Sequence, residues 1–150
     1  MAEIRHRGTV LLIEDQDDVR QGMAQLLELH GFLVADARTA EDAWRLVTAA
    51  PDGFALILLD LMLPGSLTGW DFRMRQLAEP SLAAVPTVIV SCEHAEETLR
   101  ALRPDGWLEK PFQFDVLLQI VKRYVVSEGS ALQAEASEGA AVTAMTVDQG

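Results

Sequence analysis

The sequence predicts an α/β protein: one parallel β-sheet with helices packed on both faces. Three observations carry that prediction. Apolar runs and helix-periodic segments alternate five times along the chain, the pattern of strand–helix units laid into a parallel sheet. The run Leu56-Ile57-Leu58-Leu59 is apolar at every position rather than at alternate ones, as a strand buried on both faces requires. That run ends on one carboxylate, Asp60, and Pro64-Gly65 then force a loop. In an open parallel sheet the ligand crevice lies outside the carboxyl ends of the strands. Asp60 is therefore expected at its rim.

The first strand is Thr9-Val10-Leu11-Leu12-Ile13, stopped by Glu14-Asp15 with Asp17 and Asp18 close behind. Val19, Met23, Leu26, Leu27 and His30 recur at helical spacing, and Gly31 supplies a stop. Phe32 to Ala35 reads as a short second strand. Thr39 and Asp42 have the spacing of a capping box, and Ala43, Trp44, Leu46 and Val47 give the second helix an apolar face. Pro51-Asp52-Gly53 is a turn into the third strand. A third helix is expected from about Thr68 to Leu77, with Trp70, Met74 and Leu77 inward. Thr87-Val88-Ile89-Val90-Ser91 is the fourth strand, and Glu93 to Leu102 a short polar helix. Pro104-Asp105-Gly106 turns the chain into a fifth strand, Trp107-Leu108-Glu109-Lys110. Leu117, Ile120, Val121 and Tyr124 mark the last helix.

Length and composition fit one globular domain: 150 residues, 49% hydrophobic and 23% charged. The net charge of −11 offers no basic footprint for nucleic acid or an anionic membrane, while carboxylates can attract metal cations. A single cysteine, Cys92, excludes an internal disulfide and fits a reducing cytosol, so a cytoplasmic location is expected. Residues 1–8 are polar, without the apolar core of a signal peptide, and no stretch approaches a membrane span. The expected organisation is an extension over 1–8, a domain over 9–126 and an acidic, mostly disordered tail over 127–150. An amphipathic helix around Leu132 to Ala136 is the alternative for that tail.

Four strand ends carry chemistry: Glu14-Asp15, Asp60, Ser91 and Lys110. Parallel strands bring these ends to one edge. Three carboxylates alone repel one another, and a hard divalent cation such as Mg²⁺ relieves this with oxygen ligands while keeping waters. A lysine and a hydroxyl beside that cation complement a phosphoryl group. The chemistry implied is phosphoryl transfer, with Asp60 a candidate nucleophile. Taken singly, each residue has a plainer reading. The acidic run suits a helix N-terminus, and Lys110-Pro111 is a turn.

Together, Leu11-Leu12-Ile13-Glu14-Asp15, Leu58-Leu59-Asp60-Leu61-Met62-Leu63-Pro64-Gly65, Val88-Ile89-Val90-Ser91 and Lys110-Pro111-Phe112 resemble the receiver domain of two-component response regulators. The resemblance covers residues 9 to 126. It implies a flavodoxin-like fold with strand order 2-1-3-4-5 and a site between strands one and three. It implies that Asp60 accepts a phosphoryl group from the phosphohistidine of a sensor histidine kinase or histidine phosphotransfer protein. Mg²⁺ would be held by Glu14, Asp15, Asp60 and the backbone carbonyl of Met62. Ser91 and Lys110 would contact the phosphoryl oxygens, Ser91 and Trp107 would form the switch pair, and the bond before Pro111 would be cis. Such a protein is a regulatory phosphoacceptor, not an enzyme with a separate substrate. With no second folded domain expected after residue 126, the expectation is a stand-alone receiver that acts as a phosphorelay shuttle or through a protein-binding surface its phosphorylated state changes.

The chain departs from that pattern in places. Glu14 stands where Asp is commoner, and the loop Gly65-Ser66-Leu67-Thr68-Gly69 is one residue longer. The Ser91 to Lys110 interval is shorter, Cys92 replaces a smaller residue, and Trp107 replaces Tyr or Phe. Indole overfills the space a serine leaves, so incomplete rotation of Trp107 is expected. Competing chemistries lack their parts. A haloacid dehalogenase-type phosphatase needs a second Asp two positions after the nucleophile, where this chain has Met62. No Gly-x-Gly-x-x-Gly follows strand one and no Walker lysine motif exists. Cys92-Glu93-His94 could suggest a metal ligand pair, but the other histidines, His6 and His30, lie in unrelated elements, against a zinc site.

Overall fold

A computed structural model describes residues 6–92 and 96–127. Five parallel strands form one sheet in the order β2-β1-β3-β4-β5. They are β1 (Thr9–Ile13), β2 (Val34–Ala37), β3 (Phe54–Asp60), β4 (Thr87–Ser91) and β5 (Gly106–Glu109). The helices are α1 (Asp17–Leu29), α2 (Ala40–Ala49), α3 (Gly69–Ala78), α4 (Glu96–Leu102) and α5 (Phe114–Tyr124).

Side chains alternate across a strand, and this alternation divides the core in two. Val10, Leu12, Leu56, Leu58, Val88 and Val90 face α1 and α5, meeting Met23, Leu27, Leu117 and Val121. Leu11, Ile13, Ile57, Leu59 and Ile89 face the other way, onto Ala40, Ala43, Val47, Phe72 and Leu102 of α2, α3 and α4. The unbroken apolar run of β3 thus serves both layers. Pairing of Ile13 with Leu59 and of Asp60 with Val90 brings the strand ends level along one edge.

Some expectations need correction. The second strand is Val34–Ala37, not 32–35, because β1 pairs Val10 with Val34, and Phe32 instead fills the core beneath α1. Its Ala-Asp-Ala sequence carries no strong strand signal. His30 is exposed, one ring nitrogen lying 3.0 Å from the Leu26 carbonyl oxygen. Leu46 is largely solvent-facing, while Trp44 sets its ring edge against Phe72. On α3 the inward face is Phe72, Arg73 and Gln76; Trp70 and Met74 are exposed. The reason lies at the helix start. Gly69 packs directly on the backbone of Asp60, and that contact fixes the rotation of α3.

The buried polar pair on α3 is satisfied by neighbours. Arg73 donates to the carbonyls of Leu102 (2.9 Å) and Arg103 (2.7 Å) and to Oε1 of Gln76 (2.9 Å). The Gln76 amide donates to Leu82 and Val85 carbonyls and to the Thr87 hydroxyl. The complete capping box also lies here, between Thr68 and Asp71. At Thr39 only the side-chain bond to the Asp42 amide forms.

His6, expected in an extension, forms a parallel bridge with Val125, and Ser127, expected in the tail, is buried and donates to the His30 carbonyl. Residues 128–150, including the Leu132 to Ala136 alternative, and Glu93 and His94 lie outside the described residues. No helix among the described residues is long and apolar enough to cross a membrane.

Candidate functional site

The carboxyl edge of the sheet gathers the residues that the sequence singles out. β1 ends at Ile13, and the next residue, Glu14, is buried as the chain turns toward α1. Its main-chain N–H donates to the Ala37 carbonyl at 3.1 Å, which fastens the turn to β2. Asp60 is the last residue of β3 and is only 4% exposed. Ser91 is the buried last residue of β4. Lys110 follows β5 directly, and its main-chain N–H donates to the Ser91 carbonyl at 2.9 Å. The Lys110–Pro111 peptide bond is cis.

Glu14, Asp15 and Asp60 each offer a carboxylate oxygen, all within 4.8 Å of one another. Lys110 reaches into this cluster, with Nζ 2.6 Å from Glu14 Oε1 and 3.0 Å from Asp60 Oδ2. The remaining oxygens meet main-chain donors. Asp60 Oδ1 accepts from the Met62 amide at 2.8 Å, and Glu14 Oε2 from the Gln16 amide at 3.1 Å. Burial and the adjacent Glu14 carboxyl push the Asp15 carboxyl above its ordinary range. Burial opposes the Lys110 ammonium, but its bonds to Glu14 and Asp60 outweigh that and hold its pKa above the usual value.

The donor set is all oxygen and carries three carboxylates against one ammonium. That suits a hard divalent cation such as Mg²⁺ and does not suit zinc, which favours nitrogen and sulfur. Met62 lies in the loop after Asp60 with its side chain exposed, near the same edge. Trp107 sits half-buried in β5, paired with Ile89 and packed against the α2–α4 side of the core.

Three supporting residues lie outside the motifs legible in the sequence. Arg20 of α1 is buried and bonds the main-chain oxygen of Glu14. Gly69 lies so close to Asp60 that any side chain there meets the Asp60 carbonyl oxygen. Glu41 of α2 accepts the Ser66 hydroxyl at 2.9 Å and so holds the long loop after β3. Its own amide and Ser66 lower its carboxyl pKa. Arg20 had a faint signal, Asp17 three residues before it on α1. Glu41 and Gly69 had none, because their partners are set by tertiary packing.

Comparison with known proteins bears on this arrangement. The family model described as "Response regulator receiver domain" matches residues 10–122. A C4-dicarboxylate transport transcriptional regulatory protein, DctD of Pseudomonas aeruginosa, is 37% identical over 119 residues, spanning 76% of this chain and 24% of that protein. The transcriptional regulatory protein HprR of Escherichia coli is 30% identical over 115 residues, 75% of this chain and 49% of that one. The chain thus spans from about a quarter to about half the length of these relatives. Among solved structures, the chemotaxis protein CheY4 of Vibrio cholerae superposes with a TM-score of 0.71 at 26% identity, over 79% of this chain and 98% of that one.

Proposed function

Since the chain belongs to the response regulator receiver domain family and is a phosphoacceptor signalling domain of the two-component type, we propose that Asp60 is the residue that accepts the phosphoryl group. The observation that carries this is the placement of one buried strand-end carboxylate, Asp60, against both an acidic pair and the Lys110 ammonium.

In this reading a carboxylate oxygen of Asp60 attacks the phosphorus of a phosphohistidine. The P–N bond breaks as the P–O bond forms, and the ring, already protonated at its other nitrogen, leaves as neutral imidazole. The donor is a sensor histidine kinase or a histidine phosphotransfer protein. A Mg²⁺ ion held by Glu14, Asp15, Asp60 and the Met62 carbonyl would offset the charge of the incoming phosphoryl group. Lys110 moves from carboxylate to phosphoryl oxygen without leaving the site. Ser91 donates to another phosphoryl oxygen; Trp107, too large to enter the space Ser91 leaves, moves incompletely, and the short helix α4 carries more of the response. The protein partner that reads this change belongs to the same cytoplasmic signalling system.

Phosphoramidate tests the reading with an N–P donor. In Mg²⁺ it should place a hydroxylamine-labile label on the peptide containing Asp60. A label on a histidine or serine instead would overturn the assignment.

A further inference from the structure

We propose that Arg20 is the positioning residue of the acidic cluster: its guanidinium fixes the Glu14–Asp15 peptide unit and so sets how tightly the cluster holds a divalent cation. This rests on the metal reading above and adds a residue outside the ligand set.

Arg20 is 6% exposed, and its three nitrogens bond three separate places. Nε donates to Asp36 Oδ2 at 2.8 Å, at the end of β2. Nη2 donates to Asp17 Oδ1 at 2.6 Å, in the first turn of α1. Nη1 donates to the main-chain oxygen of Glu14 at 3.0 Å, in a buried bond. The carbonyl of Glu14 and the amide of Asp15 are one planar unit. The orientation of that plane sets the directions in which both carboxylates leave the backbone.

The turn sequence itself does not fix that plane. No glycine or proline lies between Glu14 and Asp18. Other holds on the turn include the Glu14 amide to Ala37, the Arg20 amide to the Gln16 carbonyl and, through the Glu14 carboxylate, the Lys110 ammonium and the Gln16 amide, but none of them bonds the Glu14 carbonyl. The two carboxylate bonds are themselves made by a ligand group. The Glu14 carbonyl bond to Arg20 is made by neither carboxylate, so it persists whatever the carboxylates hold.

The contribution is geometric, since Asp17 and Asp36 already balance the guanidinium charge. A planar fork spans three acceptors in different directions; an ammonium radiates its donors from one point and does not. Groups that orient the ligands of a metal from outside commonly change its affinity by about 10–100-fold when replaced.

The test uses the full chain, with MgCl₂ alone as the probe and its dissociation constant read by calorimetry well below the melting temperature. Arg20→Lys keeps the charge and loses the fork. Arg20→Met keeps the unbranched stem and is the second variant should the first fail to fold. Asp36→Asn is the control: it removes an ion pair of Arg20 and leaves the bond to Glu14. Arg20 variants should bind Mg²⁺ about tenfold more weakly, and Asp36→Asn within about twofold of wild type, as an ion pair away from the turn should. Melting temperatures fall in both cases. An Arg20 variant with a lowered melting temperature and unchanged Mg²⁺ affinity overturns the proposal, leaving Arg20 a structural strut. A wild-type protein that does not bind Mg²⁺ overturns the metal reading itself, which is a different result.

Discussion

Lys110 Nζ lies 2.6 Å from Oε1 of Glu14, a carboxylate ninety-six positions earlier in the chain. This is the shorter of its two ion pairs; the bond to Asp60 Oδ2 is 3.0 Å. The longer Glu side chain carries its oxygen to the ammonium, so Lys110 stands between two carboxylates and offsets part of their combined charge.

Lys110→Ala should therefore destabilise the metal-free protein by roughly 1–3 kcal/mol, less than the ~3–5 kcal/mol lost when a wholly buried pair is broken. Mg²⁺ should restore much of that loss, because the cation takes over the charge balance. Thermal unfolding with and without MgCl₂ checks this, and an equal loss under both conditions would show that the ammonium and a cation do not share the site.

Asp15 gives a pH prediction with a definite sign. Its carboxyl pKa is raised in the folded protein from an ordinary value of 3.8. Folding then favours its protonated form, so this group costs stability above its raised pKa, and the cost fades as pH falls toward 3.8. In the absence of metal, Asp15→Asn should raise the melting temperature at pH 7 and lose that advantage in acid. In Mg²⁺ the order should reverse, since the variant lacks a ligand. A variant less stable than wild type in metal-free buffer at pH 7 would contradict the crowding of the cluster.

Gly69 gives a steric prediction. A Cβ at this position would stand 2.1 Å from the Asp60 carbonyl oxygen and 2.7 Å from the Leu61 Cα. Both are backbone atoms, so the start of α3 must move away. Gly69→Ala should cost about 1–3 kcal/mol or more by overpacking and slow labelling of Asp60. Wild-type stability and labelling would show that α3 is not seated on Asp60.

Arg73 anchors the end of α4. That helix has seven residues and buries only Leu102, too little to hold it by apolar contact or intrinsic propensity. Burial lowers the Arg73 pKa, with Asp105 opposing, and its bonds fall on the last carbonyls of α4 and the residue after it, where a cation is favoured. Arg73→Met should cost roughly 1–3 kcal/mol in unpaired carbonyls and speed amide exchange at Arg100 to Arg103 more than in β1 or β3. Uniform acceleration across the fold would mean that Arg73 supports the core generally and not α4.

Arg73 also shows where the sequence could and could not be read. The sheet was legible because strands buried on both faces need apolar runs, and Ile13, Leu59 and Val90 supply them. The edge was legible because Asp60 and Ser91 interrupt those runs at their ends. The rotation of α3 was not. Trp70, Met74 and Leu77 give an apolar periodicity, yet the Gly69–Asp60 contact turns Arg73 and Gln76 inward, where carbonyls of α4 and the chain before β4 receive them. Local hydrophobicity carries no record of such distant acceptors. The same holds for Arg20, whose partner is a main-chain oxygen.

The proposed function turns on Asp60 serving as the phosphoacceptor of a metal-assisted reaction. Intact mass after incubation with acetyl phosphate measures it most directly. One added phosphoryl group is expected on the wild-type chain in Mg²⁺, none once EDTA removes the metal, and none on Asp60→Asn in either buffer. Undiminished phosphorylation of Asp60→Asn would contradict it.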